Sequence, residues 1–379
     1  MIIFLHSLSH LIWGALPVLY PEILDEFELS YVQLGFLQTI TLFASGFPQI
    51  FVGYLRKWFS GRTLIGFGNA INAFFNIIAS FVGGFWQFLS CRLLAGLGGS
   101  TQHPVGTSVL TTNTDPSWRG RIFGLNLAVP MLASTLAPIL AAGLMVNVGW
   151  RTTLFIIALP ALITSALMLI FVEEKAEAAS RERIFSFRSL LRALRNRNVM
   201  AISTLRSLMA FRMGVRAFIP LYLIEMLSMS VGLSSTLYSL MIFGGVVGPF
   251  FWGYLSDRMQ RKPIIMVILS LQCILFYGLN LVSDTQPLSI MLFLIGFMAQ
   301  TVVMQSMLAD SITKEHLDQI FGFYYTLGFT LGSASSITFA YIVETFGFNQ
   351  GFTYIAAVTA VSLIPAFFIK ETRGTASNM

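Results

Sequence analysis

Apolar residues run along this chain in long blocks broken by short polar stretches. That pattern fits segments crossing a bilayer, each about 20 residues long, rather than helices that bury one face. Twelve spans are predicted, over 2–22, 31–55, 62–84, 86–112, 120–147, 151–172, 199–225, 231–255, 263–283, 287–310, 318–345 and 349–370. They divide six and six around one long charged stretch, Glu173 to Asn198. It holds seven basic residues (Lys175, Arg181, Arg183, Arg188, Arg192, Arg195, Arg197) and four acidic ones. Within it, Phe185 to Leu194 alternates apolar and basic residues at roughly helical spacing, which suits a helix lying on the membrane surface. The expected organisation is a six-helix bundle at 1–172, a linker at 173–198 and a second six-helix bundle with a short tail at 199–379.

Composition narrows the class. Of 379 residues, 55% are apolar and 11% charged, and the mean hydropathy is +0.75. Soluble domains carry about 25% charged residues. An all-α polytopic membrane protein fits; soluble enzymes, nucleic-acid binders and secreted disulfide scaffolds do not. Cys91 and Cys273 sit in apolar runs and suggest neither a disulfide nor a metal site. No metal-ligand cluster and no nucleophile beside a base stands out, so no enzyme, no metal and no cofactor is expected. The first span begins at Ile2 without a basic lead-in or cleavage pattern, so it reads as a retained span, with room for a natural start upstream.

Charge distribution sets the orientation. Loops from odd to even spans carry only Arg151, whereas even-to-odd loops plus the tail carry eighteen Lys and Arg. That bias places both termini in the cytoplasm. The first external loop is acidic, with Glu22, Asp25, Glu26 and Glu28. The net charge of +6 is therefore topology, not a nucleic-acid partner.

The two halves echo each other. Gly53-Tyr54-Leu55-Arg56-Lys57 after span 2 matches Gly253-Tyr254-Leu255-Ser256-Asp257 after span 8. Ile122-Phe123-Gly124 and Gly149-Trp150 return as Ile320-Phe321-Gly322 and Gly347-Phe348, both at an offset of 198. Parallel repeats of six spans imply a substrate site near the bilayer midplane, between the repeats.

At these residues the chain resembles the major facilitator superfamily. The resemblance implies twelve transmembrane helices in two pseudo-symmetric bundles, and secondary transport by alternating access. Gly253 to Lys262 looks like the family's signature loop, which would give gating roles to Asp257, Arg258 and Arg261, with Asp310 a partner for Arg258. In the first-half copy Lys57 stands where the Asp belongs. Gly124, Ala133, Ala137-Pro138 and Ala141-Ala142 resemble the family's antiporter motif with Ala for most Gly; tight helix packing explains the same residues. Ser9-His10-Leu11, Tyr20-Pro21, Glu26-Phe27 and Gly96 to Pro104 resemble the fosmidomycin-resistance subgroup, over about the first 110 residues. Trp13 and Val105 stand where that subgroup carries acids.

Ionisable residues inside the spans are the sharpest functional signal. A central Arg costs on the order of 2.5–3.5 kcal/mol on insertion scales. Four are present, Arg92 in span 4 and Arg206, Arg212 and Arg216 in span 7, joined by His6 and His10 in span 1 and His103 in span 4. In the superfamily, spans 1, 4, 7 and 10 line the cavity. Helical spacing places His6 and His10 on one face with Trp13, Pro17 and Tyr20, places Arg92 and His103 on one face with open space at Gly96 and Gly99, and pairs Arg212 with Arg216. Arg206 either snorkels to the interface or joins the site. His10 and His103 either carry protons or serve as neutral cavity residues. Arg92 matches the family's fourth-helix Arg, implicated in proton coupling, and Asp310 is a further proton candidate. Asn126, Gln300 and Gln305 are candidate neutral contacts.

Several arginines without a balancing mid-span acid should attract an anion. The expected function is secondary transport of a small organic anion across a bacterial or archaeal plasma membrane, with export favoured, by a monomer. A drug–proton antiporter with an apolar Phe and Met pocket is the alternative, and a non-transporting membrane sensor a remote one.

Overall fold

The computed structural model describes residues 1–56, 58–115, 118–172, 195–298, 301–312 and 317–372. Most of the linker, including Phe185 to Leu194, lies outside the described residues, as do Lys57 and Gln300. Every regular element among the described residues is helical. In chain order these are α1 (Ile2–Phe27), α2 (Tyr31–Gly46), α3 (Gln49–Leu55), α4 (Gly61–Ala79), α5 (Phe85–Gly99), α6 (Gln102–Asn113) and α7 (Arg119–Phe171). Then come α8 (Arg197–Ala210), α9 (Val231–Ser256), α10 (Arg261–Gly278), α11 (Thr285–Phe297), α12 (Thr301–Asp310), α13 (Leu317–Phe346), α14 (Phe348–Val361) and α15 (Leu363–Phe368). Helix occupies part of every predicted span, and among the described residues eight helical stretches, some of them joining consecutive elements, are long and apolar enough to cross a membrane.

Local sequence explains the starts and breaks. Ser30 and Gln33 form a capping box at the start of α2, Ser60 caps α4, and Asn196 caps α8. The second predicted span is split after Gly46, next to Pro48, whose missing N–H and ring oppose an unbroken helix. At 53 residues, α7 would extend about 80 Å if straight. It turns instead at Gly149, where φ is 72° and ψ 169°. Gly347, its repeat partner, joins α13 to α14 with φ 91° and ψ 169°. Only glycine adopts that region readily. The aromatic that follows is buried in both cases, Trp150 at 3% and Phe348 at 2% exposure. The echo in the sequence is thus also an echo in backbone geometry.

The chain forms two compact units. The first comprises Met1–Glu182 with Arg216–Ser239, the second Arg183–Val215 with Leu240–Met379. The first has a core around Leu5, Val52, Ile65, Val105 and Met168. The second is built around Ile202, Leu205, Ile268, Leu269 and Met307. Small residues set the helix approach, as membrane packing requires. A Cβ on Gly14 would lie 2.8 Å from the Ser134 carbonyl oxygen and 2.9 Å from Ala137 Cβ, so α1 rides directly on α7. In the second unit, Gly244 and Gly248 of α9 press against the α11 backbone at Phe293 and Phe297. Large apolar side chains such as Phe81, Trp86 and Leu281 stand 70% or more exposed, an outer surface made for lipid.

Candidate functional site

Three histidines converge in the first unit. His6 and His10 are one turn apart on α1, and His103 is the second residue of α6. Their ring centroids lie 4.8, 4.9 and 6.2 Å apart, each pair edge to face. His6 is buried, His10 half-buried and His103 exposed. Asn126 Oδ1 of α7 lies 3.2 Å from His6 Nδ1, and Ser134 Oγ lies 2.9 Å from His10 Nδ1. This grouping corrects the expectation that the chain holds no metal-ligand cluster: one ring nitrogen from each lies within 4.8 Å of the others. The sequence hid it because the third histidine comes from a different span, and only packing brings it against the first two.

Below the cluster runs an asparagine stripe on α4. Asn69, Asn72 and Asn76 are buried and spaced three and four apart, one face of a helix. Ser9 Oγ donates to Asn69 Oδ1 at 2.8 Å, and Asn69 Nδ2 donates to Gln102 Oε1 at 2.7 Å, tying α1 and α6 together beside His103. Asn72 Nδ2 donates to the Ala95 carbonyl at 2.8 Å. Asn76 Oδ1 accepts from Arg92 Nη1. The spacing was a readable signal for these residues; the mid-span charges drew attention away from it.

Arg92 therefore stands apart from the histidines. The helix is interrupted only briefly at Ser100–Thr101, whose backbone stays in the αR region, but Arg92 bonds Asn76 of α4 while His103 meets the histidines of α1. Arg92 is 2% exposed and anchored on Asn76. Nor is there open space at the glycines: a Cβ on Gly96 would meet the Thr41 carbonyl oxygen at 2.8 Å, and one on Gly99 would meet Asn72 Nδ2 at 3.2 Å. They are packing positions. Tyr20 is buried and accepts from Gln38 Nε2, while its neighbour on the same helix, Trp13, is half-buried.

The seventh predicted span is not one α-helix. It is α-helical to Ala210, turns at Phe211 and Arg212, becomes a 3₁₀ helix over Met213–Phe218, and ends in a π-helical turn over Tyr222–Met226. In 3₁₀ geometry residues three apart eclipse, so the four-residue spacing no longer pairs Arg212 with Arg216. Within the first unit, Arg216 is exposed and acts electrostatically on the buried Tyr238 of α9. It makes no hydrogen bond or ion pair among the described residues.

The other two arginines are engaged in the second unit. Arg212 Nη1 donates to Gln272 Oε1 of α10, and Gln272 Nε2 donates to the Met298 carbonyl at 2.5 Å. Arg206 is half-buried: its guanidinium lies 5.3 Å from the centre of the Tyr324 ring and sits where a Cβ of Gly328 would be. Gln305 Nε2 donates to Tyr325 Oη at 3.1 Å. Gln272 and Tyr238, both in predicted spans, were missed by a search built on charge.

The proposed gate is rearranged. Asp310 pairs with Arg261, not Arg258. Arg258 lies 3.9 Å over the Tyr254 ring, one helical turn before it. Asp257 is exposed.

Comparison with known proteins agrees with this architecture. The family model described as Major Facilitator Superfamily matches residues 2–336 and 207–378. The chain is 24% identical to the multidrug resistance protein MdtG of Proteus mirabilis, over 93% of this chain and 90% of that protein. It is also 24% identical to a cis,cis-muconate transport protein of Acinetobacter baylyi, over 91% and 87%. A bacterial homologue of the human lysosomal transporter Spinster, solved inward-facing and occupied, shares the fold with a TM-score of 0.80 at 14% identity, over 97% of this chain and 94% of that one. The chain belongs to the major facilitator superfamily.

Proposed function

We propose that this transporter carries a small organic anion by alternating access, with Arg216 of the seventh span supplying the charge that binds it. Arg216 carries the reading. It lies in the interior of a predicted span, on a 3₁₀ turn, exposed, with no carboxylate beside it among the described residues. An intramembrane guanidinium left in that state is costly, and a carboxylate or phosphonate that pairs with it bidentately offsets the cost. Arg212, the other candidate ligand, is held by Gln272, while Arg206 and Arg92 are tied into packing and serve as structural cations. The Acinetobacter relative is named for a dicarboxylate, which supports an anionic cargo. Export draws support from the likeness of the first 110 residues to the fosmidomycin-resistance subgroup.

Equilibrium binding of an organic dicarboxylate to the purified chain tests this. Arg216→Gln should weaken binding about 10- to 100-fold, the equivalent of roughly 1.5–3 kcal/mol for hydrogen bonds to a charged group. Arg216→Lys keeps the charge and loses the fork, so it should fall between. Equal affinity for all three proteins would refute the assignment. The Proteus relative is named for multidrug resistance. In that second reading, a drug–proton antiporter, neutral or cationic drugs bind instead and the anion does not compete.

A further inference from the structure

We propose that His6, His10 and His103 form a binding site for a divalent cation of the zinc class, a site that does not depend on the anion reading. Hydrogen bonding sets the tautomer of His6. An amide oxygen only accepts, so the contact between Asn126 Oδ1 and His6 Nδ1 at 3.2 Å puts the hydrogen on Nδ1 and the lone pair on Nε2. Ser134 Oγ lies 2.9 Å from His10 Nδ1 and 3.4 Å from the His10 carbonyl oxygen, so the Nδ1 side of that ring is also held by a hydrogen bond. A histidine whose Nδ1 donates to an oxygen keeps its Nε2 lone pair for a metal, an arrangement in which the hydrogen bond fixes ring orientation and raises basicity.

His6 is 7% exposed, and its Nε2 is buried with no hydrogen-bond partner. A buried lone pair without a donor is costly unless a proton or a cation takes it. One nitrogen from each ring lies within 4.8 Å of the other two. A tetrahedral centre with metal–nitrogen bonds of about 2.0–2.1 Å needs them about 3.4 Å apart, a closure within reach of small ring rotations. His103 is exposed, and three imidazoles leave a fourth position open to water or an anion. Three neutral nitrogen ligands without a carboxylate favour zinc, cobalt, nickel or copper over magnesium or calcium. A cation bound here takes the same lone pairs that would carry protons, so the site and a proton relay through these histidines exclude each other.

The test uses the full chain, purified without a polyhistidine tag and titrated with Co²⁺, whose visible bands report tetrahedral nitrogen ligation. One Co²⁺ per chain with tetrahedral bands, displaced by Zn²⁺, is expected. His103→Gln changes an exposed side chain and should lower affinity at least tenfold while leaving helix content intact. Ser134→Ala removes the support behind His10 and should lower affinity about 10- to 100-fold. His316→Gln, outside the described residues, should bind as the parent does. A parent chain without stoichiometric tetrahedral Co²⁺ would overturn the proposal. So would unchanged affinity in His103→Gln, or loss in His316→Gln alone.

Discussion

Gly149→Ala isolates the backbone turn that ends the first half of α7. A Cβ at this position would meet nothing within 4 Å, so the change creates no clash. What remains is conformational: φ 72° with ψ 169° is a region that residues with a Cβ occupy at a cost of about 1–3 kcal/mol. Gly143, two turns earlier in the same helix, also faces open space, but its backbone is helical. There alanine should be neutral or stabilise by up to about 1 kcal/mol. The two substitutions add the same methyl group to equally open surroundings and should move stability in opposite directions. Gly347→Ala, with φ 91° and only Gln350 Oε1 nearby at 3.6 Å, should reproduce the loss. Reversible unfolding in mixed micelles measures all three. Because Gly149 and Gly347 lie in different units, the double variant should lose the sum of the single losses to within about 0.5 kcal/mol. Gly149→Ala as stable as Gly143→Ala would refute the argument that this turn requires glycine.

Other consequences concern the polar groups inside the spans. Asn76→Ala strips the anchor from a guanidinium that is 2% exposed, and should cost roughly 1.5–3 kcal/mol in the same unfolding assay. Asn76→Asp, which keeps an acceptor there, should lose less. Asp310→Asn breaks the pair with Arg261, in which the Asp side chain is 43% exposed. A pair that open is worth about 1 kcal/mol or less, so transport should change no more than about fivefold, and the difference should shrink in high salt.

Much of the architecture was legible because bilayer crossing writes a coarse rule into sequence. Long apolar blocks, a lopsided distribution of Lys and Arg, and Gly-aromatic pairs at a shared offset suffice for the family and the repeat. Gly149 and Gly347 show why: a positive φ demands glycine, so the residue type itself records the turn. The site was less legible, since facing arguments assume unbroken α-helices. In span 4, Arg92 bonds Asn76 on α4 whereas His103 meets the histidines of α1, a difference of partners that spacing alone does not show. Span 7 passes through a 3₁₀ stretch, which separated Arg212 from Arg216. Arg216 lies within the 3₁₀ stretch and Pro220 follows it, but neither residue by itself predicts a change of helix type. Charge also says where a cation is costly but not what neutral partner meets it, so Asn76 and Gln272 emerged only from packing.

The central claim is that an anion is the cargo, and uptake into proteoliposomes tests it most directly. A panel of small organic anions, with neutral and cationic drugs beside it, would be measured with and without an imposed pH gradient, for the parent chain and for Arg216→Gln. The account predicts that at least one anion crosses with the parent, that Arg216→Gln abolishes most of that flux, and that the drugs do not compete. Movement of drugs alone, or anion flux indifferent to Arg216, would contradict it.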